Sequence, residues 1–254
     1  MALPYCLYSL YDFIFKDTED DDMIKIRKAK ERGHTEGGWL DSWHTFSFAD
    51  YYDPNHLGLG VLKVINEDRI LGGTGFPTHG HQEMEIISYV VEGALEHKDS
   101  MGHSTIIRPG EIQRMSAGTG ITHSEYNHQK DEKTHFLQIW ILPALSKIEP
   151  SYGQKSFVHQ LESGALLLVA SHSGREDTVS LNQDVDIYVC KSSNSGAKKY
   201  SISGQRKIWI QMVKGELKVS GSKILPGDGA AITNAPELNL EWAPYCEFIL
   251  FDLP

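Results

Sequence analysis

The chain has 254 residues, a formal net charge of -10, and 40% hydrophobic and 23% charged side chains. Such a length and composition suit a soluble protein of one large domain or two small ones. The acidic balance excludes a chain that grips phosphate backbones by itself, and no apolar run approaches the roughly 18 residues of a membrane helix.

Residues 1–22 begin with an apolar stretch that lacks both a basic start and a small-residue cleavage site, so it does not read as a secretion signal. An acidic run from Asp17 to Asp22 then leads into Met23. Met23 reads as a natural start, and 1–22 as an extension outside the core fold. A basic strand follows Met23, and residues 32–38 read as a loop because of their glycines. Strands are expected over 39–48 and 57–66, with Asn66-Glu67-Asp68 breaking the second. Short strands then succeed one another over 85–91, 94–98, 104–107, 112–116 and 136–142, without any sustained 3.6-residue period. This pattern predicts an all-β sandwich or barrel.

After the turn residues near Pro150, the second half repeats the first. Val91-Glu92-Gly93-Ala94-Leu95 and the later Pro109-Gly110-Glu111 are echoed by Val213-Lys214-Gly215-Glu216-Leu217 and Pro226-Gly227-Asp228. Two copies of one barrel module follow, over 23–150 and 151–254. The histidines separate the copies: seven of the twelve lie between His79 and His135, and none follows His172. Asn234-Ala235-Pro236 is expected where the second copy would carry its later ligands, so that copy should be structural and metal-free. The cysteines Cys6, Cys190 and Cys246 are widely spaced and form no C-x-x-C pair, which suits a reducing, cytoplasmic setting.

Two short stretches carry the chemistry. Residues two apart on a strand share a face, so His79 with His81, and His123 with Glu125, can each converge on one point. Opposed inside a barrel, they make a metal site of three nitrogens and one carboxylate, with one or two positions open. A lone histidine or a single H-x-H means little, but an H-x-H and an H-x-E in the same β module put metal binding ahead. Imidazole suits iron, copper, nickel, manganese or zinc. Glu83 and Glu85 share the parity of His79 and His81 and compete for the carboxylate position; with Glu85 bound, Glu125 would be a neighbouring base. Gly80, Gly118 and Gly120 permit close strand approach or tight turns. His97, His103 and His128 read as rim, supporting or surface residues. His135, on the face of Leu137, Ile139 and Ile141, reads as a partly buried, hydrogen-bonded side chain. No Ser-His-Asp motif and no phosphate loop opening a helix is present.

A resemblance enters with several motifs taken together: Trp39-Leu40-Asp41-Ser42-Trp43-His44-Thr45-Phe46-Ser47-Phe48, Phe76-Pro77-Thr78-His79-Gly80-His81, Glu92-Gly93, His97-Lys98-Asp99-Ser100, Pro109-Gly110-Glu111-Ile112-Gln113 and Gly118 to Glu125. They resemble the pirin family of bicupins, and the closing residues Glu247 to Pro254 resemble its bacterial quercetinase-like branch. The likeness covers about residues 23–254 and is specific in the first half, loose in the second. It implies an all-β chain of two double-stranded β-helix (cupin) barrels, with metal only in the N-terminal one. The implied ligands are His79, His81, His123 and Glu125, and Glu85 is not among them. The implied cofactor is one divalent transition metal, iron foremost, with copper, manganese, nickel, cobalt or zinc as substitutes.

The activity implied by the resemblance is that of a quercetin 2,3-dioxygenase, which opens a flavonol with dioxygen and releases carbon monoxide. Glu125 would then be the catalytic base, and the partners a small aromatic substrate and dioxygen, with neither direct nucleic-acid binding nor a membrane. The family's alternative is a metal-dependent redox-sensing module or transcriptional co-regulator, which would dock a protein partner. Two departures stand out. Thr119 replaces a frequent Arg, which favours the bacterial branch, and Arg114 replaces a frequent aromatic beside Gln113, which is expected to alter the pocket rim.

Overall fold

The computed structural model describes residues 23–254, and the expected extension over 1–22 lies outside them. The first strands are β1 (Ile24–Arg27), β2 (Gly33–Gly37), β3 (Leu40–His44), β4 (Leu62–Ile70), β5 (Gly75–His81) and β6 (Glu85–Glu92). They are followed by β7 (Leu95–Asp99), β8 (Ser104–Ile107), β9 (Glu111–Ser116), β10 (Ile121–Asn127), β11 (Thr134–Ile141) and β12 (Ser151–Ser156). One helical turn, α1 (Val158–Leu161), leads to β13 (Leu167–His172), β14 (Val179–Leu181), β15 (Asp186–Ser192), β16 (Gly196–Ser201) and β17 (Lys207–Lys214). The chain closes with β18 (Leu217–Val219), β19 (Ser222–Ile224), β20 (Gly229–Ile232), β21 (Glu237–Trp242) and β22 (Cys246–Leu253). Among the described residues no helix is long and apolar enough to cross a membrane.

The strands build two copies of one topology. A seven-stranded sheet of order β12-β9-β6-β11-β4-β3-β2 stands with a four-stranded sheet β5-β10-β7-β8. The second copy repeats this order, as β1-β20-β17-β22-β15-β13-β14 with β16-β21-β18-β19, and departs from it at the edge, where β14 pairs parallel with β13 while β2 pairs antiparallel with β3. The glycines of the sequence repeat recur in the same backbone state, with φ of 86° at Gly93 and 79° at Gly215. A Cβ there would stand 2.5 Å from Thr134 Oγ1 or 2.7 Å from the Tyr245 carbonyl oxygen, so both position and conformation call for glycine.

Each half lends the other a strand. β1 pairs with β20 of the second copy, and β12, although it follows residue 150, pairs with β9 of the first. The acid of each Pro-Gly-acid turn anchors the incoming strand's arm. Asp228 accepts from the Ala29 amide at 2.8 Å and pairs with Lys28 at 3.0 Å, and Glu111 accepts from Gln154 at 3.1 Å. Those acids carry the repeat because the exchange needs them.

The main core lies between the two large sheets, where Ile87, Tyr89, Val91, Leu137 and Ile139 of the first meet Trp209, Val213, Ile249 and Phe251 of the second. β6 is therefore buried on both faces. Ile87 and its parity mates face the partner sheet, while Ile86, Ser88 and Val90 face the interior of their own barrel. Removing this much apolar surface from water, at roughly 25 cal/mol per Å², makes the two halves one body.

Two sequence expectations need correcting. Residues 66–68 do not end a strand, because β4 runs through them to Ile70. Their polar groups are satisfied inside the fold: Asn66 Oδ1 bonds His44 Nδ1 at 2.8 Å, Glu67 pairs with Arg32 at 2.8 Å, and Asp68 accepts from Ser42. Buried polar side chains cost little once so paired. The stretch 32–38 is likewise no loop: β2 forms an edge hairpin with β3.

Candidate metal centre

The centre is built on β5 and β10, which run antiparallel with His123 opposite His79 and Ile121 opposite His81. Further along, Glu125 faces Phe76, so β5 spends one residue more than β10 over this span. That is a bulge, and Pro77 sits in it, where a missing amide costs no ladder bond. The bulge resets parity, so Phe76 and His79 both face the barrel interior although three residues apart. Plain alternation along the sequence does not show this. The approach of β10 is set by Gly75, whose Cβ would stand 2.1 Å from the Glu125 carbonyl oxygen. Gly80, expected to serve that end, has only open van der Waals space around it.

One ring nitrogen from each of His79, His81 and His123 lies within 4.8 Å of the other two. His79 Nδ1 stands 2.8 Å from the Pro77 carbonyl oxygen, which can only accept, so Nδ1 holds the proton and Nε2 is bare. That bare Nε2 is 3.0 Å from His123 Nε2. His81 Nε2 is buried and has no hydrogen-bond partner. Burial, aided by His79, pushes the His81 ring down to about 3, and burial with the three neighbouring imidazoles drives His123 lower still. One nitrogen of each ring thus faces the same small space, an arrangement of donor atoms that a cation would draw together. Two nitrogens at right angles and about 2.1 Å from one ion would stand about 3.0 Å apart, so the His79–His123 pair is spaced for a first-row transition ion, with His81 the third donor beside it.

Glu125 is 1% exposed and two residues beyond His123 on the same face of β10. Its carboxylate is outside the set of atoms that meet within 4.8 Å. Oε1 accepts from Ser88 Oγ at 3.1 Å and Oε2 from Gln138 Nε2 at 2.7 Å. Trp140 Nε1 donates to Gln138 Oε1 at 3.1 Å, which turns the amide so that its NH2 faces Glu125. Burial raises the proton affinity of this carboxyl, against the opposing pull of His97 and His79. Ser88, Gln138 and Trp140 were missed in the sequence; their inward parity on β6 and β11 was the available signal.

The competing carboxylates point elsewhere. Glu83 adopts a left-handed turn, φ 53°, which breaks the parity that linked Glu83 and Glu85 to the histidines, and its Oε1 accepts from the Lys147 amide at 2.8 Å. Glu85 faces out of the barrel towards the second copy, where Ser116 and the Asn182 backbone amide (3.2 Å) donate to it. Glu85→Gln is therefore expected to keep full metal content while losing about 1–3 kcal/mol of stability from unmatched buried partners. Metal analysis beside urea unfolding checks this, and metal loss would move the carboxylate into the site. Arg114 shares that outward face, with Nε 2.9 Å from the Ser180 carbonyl oxygen and Nη2 3.1 Å from Ser180 Oγ. It braces the two halves and does not reach the pocket rim.

Of the remaining histidines, His135 bonds Glu67 at 3.0 Å, His128 meets Glu96 at 3.2 Å near the surface, and His97 and His103 both contact Asp99. Pairing of β10 with β7, and of β21 with β18, aligns the two barrels. Leu95 faces Asn127 as Leu217 faces Trp242, so Glu125 corresponds to Leu240 and His123 to Leu238. Asn234-Ala235-Pro236 precedes β21 and is not the counterpart of the ligand pair. The true counterparts are buried leucines with no donor atom.

Asp68 also faces the first barrel's interior. Burial, against the opposing bond from Ser42 and helped by repulsion from Glu125 and Glu67, pushes its carboxyl up to about 7. Unfolded, it ionises above about 4, so between those values the folded chain holds an extra proton. The stability this gives is lost as pH rises through 7. Asp68→Asn, which cannot ionise, should stabilise the metal-free protein by about 4 kcal/mol at pH 8, with the gain shrinking towards pH 4. Urea titrations across that range test the slope, and a pH-independent difference would refute it.

Two barrels of one topology, with a histidine triad inside the first, define a bicupin with a candidate metal centre in its N-terminal half. The pirin family profile matches residues 25–141, and that of a quercetinase C-terminal cupin domain matches 168–253. A quercetin 2,3-dioxygenase of Escherichia coli (strain K12) is 46% identical over 232 residues, 91% of this chain and 99% of that one. A pirin-like protein of Caulobacter vibrioides is 36% identical over 231 residues, again 91% and 99%. The crystal structure of the bacterial pirin YhhW from Escherichia coli in complex with nickel(II) is 45% identical, with a TM-score of 0.87 over 91% of this chain and 99% of that chain. The chain belongs to the pirin family.

Proposed function

We propose that this protein is a quercetin 2,3-dioxygenase, an oxidoreductase that opens flavonols with dioxygen and releases carbon monoxide. The observation that carries the reading is the convergence of one ring nitrogen from each of three histidines beside a buried carboxylate of raised proton affinity. The relative named for this reaction, 46% identical over nearly its whole length, supports it. In the proposal His79, His81, His123 and Glu125 hold the ion. Iron is the native metal, and the imidazole set also accepts nickel, copper, manganese, cobalt or zinc. The site is confined to the N-terminal cupin, residues 23–150, and the C-terminal cupin, 151–254, supports it. The buried free thiols Cys190 and Cys246 accord with a cytoplasmic protein.

When bound, the ion supplies a Lewis-acid, redox-capable centre that favours an ionised phenol and admits dioxygen. The chain's own part is positional and acid-base. His79 and His81 are partly exposed while His123 and Glu125 are buried, so substrate approaches from the β5 side. Glu125 takes the proton of the flavonol 3-hydroxyl onto a carboxylate oxygen. Its raised proton affinity brings it closer to that of the phenol it must deprotonate. Ser88 donates to Oε1 and Gln138 to Oε2, which fixes the orientation of the carboxylate, and Trp140, edge-on to His81 at 4.9 Å, keeps that ring's orientation.

Anaerobic titration with quercetin tests the binding half of the proposal. The metal-loaded protein is expected to red-shift the flavonol absorption as the 3-hydroxyl ionises, and the metal-free protein to leave it unchanged. Identical spectra for the two forms would refute it.

A further inference from the structure

We propose that Asp99 and His97 are positioning residues for His123, fixing the proton on its Nδ1 so that its Nε2 is presented to the metal. The inference deepens the reading above and rests on the triad being the metal site.

The contacts form one consistent chain. His97 Nε2 lies 3.1 Å from Asp99 Oδ2, and a carboxylate only accepts, so in the singly protonated ring that the proposal takes for His97 the proton sits on Nε2. His97 Nδ1 is then bare, and it faces His123 Nδ1 at 3.5 Å. His123 Nδ1 must therefore donate, which leaves His123 Nε2 bare, 3.0 Å from the bare Nε2 of His79. This placement of protons satisfies the contacts from Asp99 to His123 Nδ1, leaves the 3.0 Å approach of the two Nε2 atoms for a cation, and presents His123 as a ligand through Nε2. The far end is anchored as firmly. Asp99 accepts from the Met101 amide at 2.9 Å, the His103 amide at 3.1 Å and His103 Nδ1 at 3.0 Å. The side chains of His97 and Asp99 are 1% and 0% exposed.

Their placement follows from the sheet. β7 lies beside β10 with Asp99 opposite His123 and His97 opposite Glu125. A ligand histidine that passes its other N–H to a fixed acceptor is better oriented and more basic. Here the acceptor is a second imidazole, itself locked by a carboxylate. The second barrel shows that the fold does not require it. Val219 occupies the position of His97 there, opposite Leu240, and no ligand stands beside it. A buried histidine costs free energy unless its nitrogens are paired, so its presence only where the triad stands ties it to the triad.

The test uses the full chain with nickel(II) and zinc(II). His97→Phe is expected to weaken nickel affinity about 10–100-fold in a competition titration, with the melting temperature of the metal-free form close to wild type. His97→Gln, whose Oε1 can accept from Nδ1–H, should recover most of the affinity. Nitrogen-15 histidine spectra of the zinc-loaded wild type should show His123 protonated at Nδ1 and zinc-bound at Nε2. Nickel affinity within about twofold of wild type in His97→Phe, read against the tenfold floor above, overturns the inference alone. If that variant does not fold, the wild-type spectra decide, and a bare Nδ1 on His123 overturns it. Wild-type protein that binds no nickel overturns the metal reading and this inference with it.

Discussion

Alanine in place of His123 is expected to strip the protein of most of its metal and nearly all flavonol turnover, while both barrels stay folded. His123 is the most deeply buried of the three rings and touches both of the others, with its Nε2 3.0 Å from that of His79 and its ring centroid 4.8 Å from that of His81. The two remaining histidines lie at the solvent side, so nothing inward replaces the lost nitrogen. Structural integrity rests elsewhere, on the core between the large sheets. Metal analysis after gel filtration, with circular dichroism as the control for folding, gives the answer. Full metal content in His123→Ala would show that the ligand set is wrong.

Glu125→Gln is expected to separate binding from chemistry. The amide keeps the shape of the carboxylate and one acceptor, but it cannot take a proton and sets an NH2 group against the donors of Ser88 or Gln138. Loss of a general base costs about 100- to 10,000-fold in kcat. The three imidazoles should hold part of the metal in the variant, so turnover is normalised to bound ion. A normalised kcat within about tenfold of wild type, well short of a base's contribution, would place the base elsewhere.

Much of this was legible in the sequence, and the rest was hidden for identifiable reasons. The H-x-H and H-x-E pairs, the Gly93 and Gly215 turns and the Pro-Gly-acid turns each depend on short-range rules: period-two alternation and left-handed glycine. Those rules also marked the asymmetry between the barrels, although the alignment within β21 shifted from Asn234-Ala235-Pro236 to Leu238 and Leu240. What misled was local polarity without knowledge of partners. Asn66, Glu67 and Asp68 look like a strand end until His44, Arg32 and Ser42 are seen across the sheet. Glu85 shares parity with His81 only if the strand continues, and the left-handed Glu83 ends it. The exchange of β1 and β12 between the halves depends on pairs distant in sequence, which no local pattern reports. The Pro77 bulge was visible as a proline in a strand, but its consequence for His79 needed the register of β10.

The central claim is that the open face of this metal performs chemistry on a flavonol. Purified protein, stripped of metal and reloaded anaerobically with iron(II), nickel(II), copper(II), manganese(II), cobalt(II) or zinc(II) in turn, is mixed with quercetin and then dioxygen while flavonol loss and carbon monoxide are followed together. The account predicts carbon monoxide released in step with quercetin consumed, with at least one metal and not in the stripped protein. Stoichiometric metal binding without carbon monoxide from any loaded form would contradict it.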